Sequence, residues 1–248
     1  MPTSNSYDWT STRNEIISGA FRKIAALGDF ELITDSQNAG KLTAGIAAIN
    51  PMIKAMHAMG MPVWAITEQY LPFTSWASTP TVSIGPGATI NQPIKPLKIL
   101  QALRRDNSVL LNPIDTPLEI LSYQGYQDLA DKKTISTPTG LFYQPLAYTG
   151  QITLWPLPDS FWQANGQLYI KYQRPFQDFD SATDEPDFPV EWHEALEYRL
   201  AVRLAPAYGL SLPDRQILKQ EAKEAFDEAK GFDVEEGSFF IRPASRNE

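Results

Sequence analysis

A chain of 248 residues with 43% hydrophobic and 20% charged content can bury a large core, and wholesale disorder is excluded. The absence of cysteine rules out disulfides, thiolate metal sites and cysteine nucleophiles. A formal charge of −8 argues against a protein that grips nucleic acid, because that grip comes from lysine and arginine displacing phosphate counterions.

The N-terminal stretch MPTSNSYDWTSTRNE lacks the basic and apolar regions of a secretion signal. The richest apolar stretch, 42–66, is interrupted by Lys54 and His57, so a soluble, unprocessed chain with no membrane partner is expected. Residues 11–27 predict a helix: Thr12 and Glu15 have capping-box spacing, Ile16, Ile17, Ala20, Phe21, Ile24 and Leu27 repeat at helical period, and Gly28 suits the C′ position. A second helix starts near Asp35 or Ser36 and carries Leu42, Ile46, Ile49, Ile53 and Met56 before Gly60. Pro51 lies inside it, and the missing N–H, worth roughly 3 kcal/mol, predicts a kink or break. His57 near its end is a favourable cation at a helix C-terminus.

From 61 to 175 the chain holds thirteen of its twenty prolines, which leaves little room for long helices and predicts a mainly β module. Candidate strands are 63–70, 80–84, 96–104, 117–121, 140–145, 151–155 and 166–173, with a short helix over 123–130. Helical period returns at Pro189, a favoured first-turn residue, with Trp192, Leu196, Leu200 and Leu204 at spacing four until Ala205-Pro206. A last helix over 213–230 has a narrow face of Leu218, Ala222, Ala225, Phe226 and Ala229 with charges around it. The expected class is α+β: a helical bundle from N- and C-terminal helices, an inserted β-rich module and an extended C-terminal tail. The corresponding segments are 1–60, 61–185, 186–231 and 232–248.

Several chemical readings fail on spacing. Trp192-His193-Glu194-Ala195-Leu196 resembles part of a zinc-protease helix, but that motif needs two histidines four apart, and the chain has only His57 and His193. His193, with Glu191 and Glu194, is read as decorating the first turn of a packing helix. Residues 175–198 hold eight acids and no lysine or arginine. A calcium-loop frame from Asp178 puts Thr183 where glycine is required and Pro189 where a bidentate glutamate belongs. No Gly-Lys-Ser/Thr follows Ser83–Thr89, and no nucleophile elbow occurs. No cofactor, metal or catalytic residue is expected. Acids together with Trp64, Trp76, Trp155 and Trp162 sustain one alternative, a carbohydrate-binding or glycan-hydrolysing protein using the β module. The tail carries Phe239, Phe240 and Ile241, which either fold back on their own body or dock on a neighbour.

The segment LYIKYQRPFQDFDSATDEPDFPVEWHEALEYRLAVRLAPAYGL, 168–210, resembles the head-to-tail connector, or tail adaptor, proteins of short-tailed bacteriophages, also called tail tubular protein A or tail accessory factor. It has their order: a strand ending in Tyr-x-Arg-Pro, an acidic Asp-x-x-Asp-x-Pro linker, Pro-x-x-Trp opening a helix and Leu-Ala-Pro-x-Tyr-Gly closing it. EIISGAFRKIAALG, IKAMHAMGMPVW, LSYQGYQDLADK and ITLWPLPD support it, over about residues 12–232. Pro51 departs from the pattern.

The resemblance implies a structural virion protein of the tail, assembled in the host cytoplasm. It implies a homododecameric ring between the portal protein and the tail nozzle protein, through which genome DNA passes without specific binding. It makes Ser238, Phe239, Phe240, Ile241, Arg242 and Pro243 the portal-binding element. On this reading part of the acidic cluster, Asp178, Asp180 and Asp184, faces the channel or a subunit boundary and repels the duplex within a Debye length of about 10 Å at 0.1 M salt.

Overall fold

The computed structural model describes residues 9–56, 63–77, 79–109 and 111–232. The chain divides into two compact units, one from the segments up to Met56 and from Gln177 onward, the other from the segment ending at Phe176. The class is mixed α+β.

Helix α1, Arg13–Lys23, begins with the expected capping box: the Thr12 amide donates to the Glu15 carboxylate at 2.7 Å, while the Glu15 amide donates to the Thr12 hydroxyl oxygen. Ile16, Ile17, Ala20 and Phe21 are fully buried. The helix is shorter than its period predicts. It ends at Ile24 because Ala25, not Gly28, takes the left-handed turn at φ 54°. A 3-10 turn, Ser36–Asn38, leads into α2, Ala39–Met56. Of the kink or break expected at Pro51, the break does not occur: α2 continues through that residue. Its missing donor leaves the Ala47 carbonyl without its helical partner. Gly45 faces Ile17 so closely that a Cβ there would sit 2.5 Å from Ile17 Cγ2, whereas a Cβ at Gly40 would meet open space.

The β unit contains two larger sheets. Its strands in chain order are β1 (Ile66–Pro72), β2 (Thr81–Gly85), β3 (Ile90–Asn91), β4 (Lys98–Asp106), β5 (Ile114–Pro117), β6 (Glu119–Leu121), β7 (Ile135–Ser136), β8 (Gly140–Pro145), β9 (Gly150–Trp155), β10 (Leu157–Pro158) and β11 (Gly166–Gln173). Short helices α3, Tyr123–Gln127, and α4, Ser160–Asn165, interrupt them. One sheet is antiparallel in the order β1-β11-β4-β5, and the other is mixed in the order β3-β2-β9-β8-β6. β7 and β10 form a separate parallel pair. Alternate residues of the large sheets, Leu71, Leu168 and Ile170 from one and Ile84, Leu154 and Ile152 from the other, enter a shared core with Phe73 and Trp76.

After the acidic segment, a 3-10 turn at Val190–Trp192 precedes α5, His193–Leu204, and a further helix, α6, spans Leu212–Phe232. Pro189 therefore opens the 3-10 turn and not the α-helix itself. The expected stripe Trp192, Leu196, Leu200 and Leu204 is buried, and α5 packs against α1, α2 and α6. Replacing Gly45 with alanine should destabilise the protein by about 1–2 kcal/mol net, because overpacking against Ile17 outweighs the helix-propensity gain. Gly40→Ala, gaining propensity without a clash, should stabilise by up to about 1 kcal/mol. Urea denaturation of the two variants should show shifts of opposite sign.

Candidate functional site

The acidic segment singled out in the sequence is held against α2 by an amide clamp. Asn50 Nδ2 donates to the Phe179 carbonyl at 3.0 Å, and the Phe179 amide donates to Asn50 Oδ1 at 2.9 Å. Asparagine at this place imitates a strand neighbour, satisfying both backbone groups of a buried residue. One turn further along α2, Lys54 Nζ lies 2.7 Å from Asp178 Oδ1.

The three predicted acids take different tasks within this segment. Asp178 is ion-paired to Lys54, so its charge is locally compensated. Asp184 accepts the amides of Asp180 and Ser181 at 2.8 and 2.6 Å, and its own carbonyl accepts the Arg13 amide at 2.8 Å. Those backbone donors, from Ser181 first, hold the Asp184 carboxyl below the usual range. Asp180 is exposed and makes no side-chain hydrogen bond or ion pair among the described residues. The tail residues Ser238, Phe239, Phe240, Ile241, Arg242 and Pro243 lie outside the described residues, as does His57.

His193 corrects the expectation of a first-turn decoration. It is only 2% exposed, its ring centroid lies 5.7 Å from that of Trp9, and it is hydrogen-bonded to the Phe188 backbone. Its Nδ1 is buried without a hydrogen-bond partner. Burial pushes its pKa down, opposed by the Phe188 bond and by Glu185 and Glu191. The preceding segment folds back over the start of α5, which the charged neighbours in the sequence conceal.

Beyond His193 on α5, Glu197 reaches across Gly19 of α1, where a Cβ would sit 2.3 Å from its carboxyl carbon. Lys23 Nζ lies 3.6 Å from Glu197 and 3.7 Å from the centre of the Tyr198 ring. Burial raises the Glu197 pKa, against the pull of Lys23. Trp9, Arg22 and Glu15 join these residues around an open cleft of about 400 Å³. Sequence reasoning missed this group; Gly19 at mid-helix facing a long acid was the available signal.

The tryptophans of the glycan alternative are used in packing. Trp76 is fully buried and donates to the Ile152 carbonyl, Trp162 is 8% exposed and donates to Thr137, and Trp155 donates to the Asp131 carbonyl. Trp64 stacks on Phe176 at 6.1 Å. The arginines of β4 are likewise engaged: Arg105 makes two bonds to Asp115, at 2.7 and 2.6 Å, and Arg104 lies over the Trp162 ring. Among the described residues no group of three His, Cys, Asp or Glu is placed to hold a metal ion, and no helix is long and apolar enough to cross a membrane.

The family model described as SU10 adaptor protein matches residues 19–242, covering segments of both compact units. This chain belongs to the SU10 adaptor protein family. No curated protein matches it. Membership makes it a phage structural adaptor and a component of the virion. In this adaptor the acidic segment is thus a built loop, clamped by Asn50 and capped by Asp184, and only part of its charge is free to act on surroundings.

Two outcomes follow for the adaptor. Asp184→Asn should lower the melting temperature more than Asp178→Asn, because it weakens an acceptor of two backbone donors while the Lys54–Asp178 pair is a solvent-exposed contact worth about 0–1 kcal/mol. Stability should also fall as pH drops below 6.5, the ordinary histidine value. The folded state holds His193 neutral, so the unfolded state binds more protons there, and the contribution present above 6.5 is lost as pH falls through the depressed folded pKa. Glu197 acts with opposite sign, since its raised pKa makes the folded state take up a proton first as pH falls toward 4.5. Denaturation midpoints between pH 7 and 5 should flatten in His193→Gln and steepen in Glu197→Gln.

Proposed function

We propose that the adaptor forms a homododecameric ring between the portal protein and the tail nozzle protein, as in the head-to-tail connectors of short-tailed phages, and that genome DNA passes through it without specific binding. The observation that carries this reading is the family match over residues 19–242, joined to a fold whose arginines and tryptophans in the β unit are engaged in packing and pairing. The protein acts by contact and by field and catalyses no reaction. Assembly takes place in the host cytoplasm, and the ring ends in the virion tail.

In this reading the tail, Ser238 to Pro243, is the portal contact: Phe239, Phe240 and Ile241 supply apolar area that needs a cover. A cyclic ring joins two different faces of each copy, a heterologous contact that closes only at the right rotation. Of the acidic cluster, Asp180 is the residue whose charge reaches solvent most freely, since Asp178 is compensated by Lys54 and Asp184 is committed to its own loop. A lumen carrying such acids does not retain phosphate.

Mass photometry of the purified adaptor, with and without the phage portal protein, tests this. A twelve-copy species on the portal is expected, and removing residues 233–248 should abolish its recruitment. A monomer indifferent to the portal would overturn the reading.

A further inference from the structure

Helix α6 carries its charge in an unusual arrangement. Its inward face, Leu218, Ala222, Ala225, Phe226 and Ala229, is buried or half-buried, with Phe226 against Trp192 at the edge nearest the cations, and it packs against α5 and the 3-10 turn before it. At about 100° per residue, its four cations, Arg215, Lys219, Lys223 and Lys230, fall within an arc of roughly 80° on one flank of that face. Asp214, Glu221, Glu224 and Glu228 fall within a similar arc of roughly 80° on the other flank. The two stripes are centred roughly 180° apart, each about 90° from the buried face, and Asp227 is the one charge between them on the outward side.

A solitary surface helix gains from mixing its charges, because Glu and Lys at i and i+4 stabilise it by about 0.2–0.5 kcal/mol per pair. Here Arg215, Lys219 and Lys223 succeed one another at spacing four, as do Glu224 and Glu228, so like charges are stacked at a comparable cost. Among the described residues none of the four cations forms an ion pair, and the buried Nε of Arg215 has no hydrogen-bond partner. Asp227, four residues after Lys223 and three before Lys230, is the one acid at pairing distance along the helix from the cations. A helix that otherwise separates its charges by flank is complementary to something else, and the nearest complement is itself. The cationic row is about 22 Å long and the acidic row about 21 Å at a rise of 1.5 Å per residue, so two parallel, in-register copies would match row to row.

We infer that α6 is a seam between copies, the cationic flank of one α6 meeting the acidic flank of the next. The pairing is head-to-tail, so any open chain of copies keeps one unsatisfied flank of each sign, at its two ends, until a ring closes. It rests on the ring reading above and specifies which surface makes the ring. Such charges act on register and partner choice, and they are screened by salt.

The test uses two full-length variants assembled on the portal. Lys219→Glu/Lys223→Glu/Lys230→Glu makes both flanks acidic, and Glu221→Lys/Glu224→Lys/Glu228→Lys makes both cationic; all six residues are exposed, and circular dichroism melting should report folded proteins. Each variant alone should lose at least tenfold in ring yield, and an equal mixture should restore rings of alternating copies, as should a chain carrying all six changes. Wild-type rings that need neither stripe, or variants that fail alone and are not restored by mixing, would overturn the seam and leave the ring reading standing. Failure of the wild type to form a ring on the portal would overturn both.

Discussion

Helix α5 is the constraint on which the helical unit depends. It meets α1, α2 and α6, and Ala195, Leu196, Leu200, Ala201 and Leu204 are withdrawn from water as a result. A helix enclosed on several sides leaves its long polar residues few ways out. Glu197 therefore lies across Gly19 to reach Lys23, and Arg199 covers the ring of Phe226 at 5.0 Å. Small residues make this possible. Gly19 admits the acid, Gly45 admits Ile17, and the alanines of α6 lower that helix onto α5. The same close packing that uses one face of α6 leaves its two charged flanks on either side of that face.

The acidic segment shows how charge is divided between holding a fold and projecting a field. Asn50 and Lys54, one turn apart on α2, tie down Phe179 and Asp178, while Asp184 folds its carboxylate back onto the amides of Asp180 and Ser181. Counting acids along the chain treats these residues as equivalent, yet a carboxylate that accepts two backbone donors is part of the loop itself. The family's role as a virion adaptor places the rest of that charge in a setting of contacts with other virion proteins.

Much of the local structure was legible in the residue pattern. The Thr12–Glu15 capping box, the Trp192–Leu204 stripe and the bounds of β8 and β11 all follow from spacing, because they depend on neighbours a few residues away. Two-residue strands such as β7 and β10 have no period to read, and α4 hides in a stretch where a strand pattern surrounds Asp159, whose carboxylate caps it. Local rules allowed Pro51 either a kink or a break. Tertiary packing of Met52, Ile53 and Met56 holds the helix together across it.

Residue order alone determined the α+β class, the helical faces and the charge stripes of α6, since each is a periodicity of the chain itself. Folding decided the rest. That Asn50 would bond a residue 129 positions away, that Lys54 would compensate Asp178, and that His193 would be buried beneath Trp9 depend on which surfaces meet, and no local spacing encodes that encounter. Contacts of this kind arise when apolar faces are removed from water, and the polar groups carried along must then find partners among whatever the packing brings within reach.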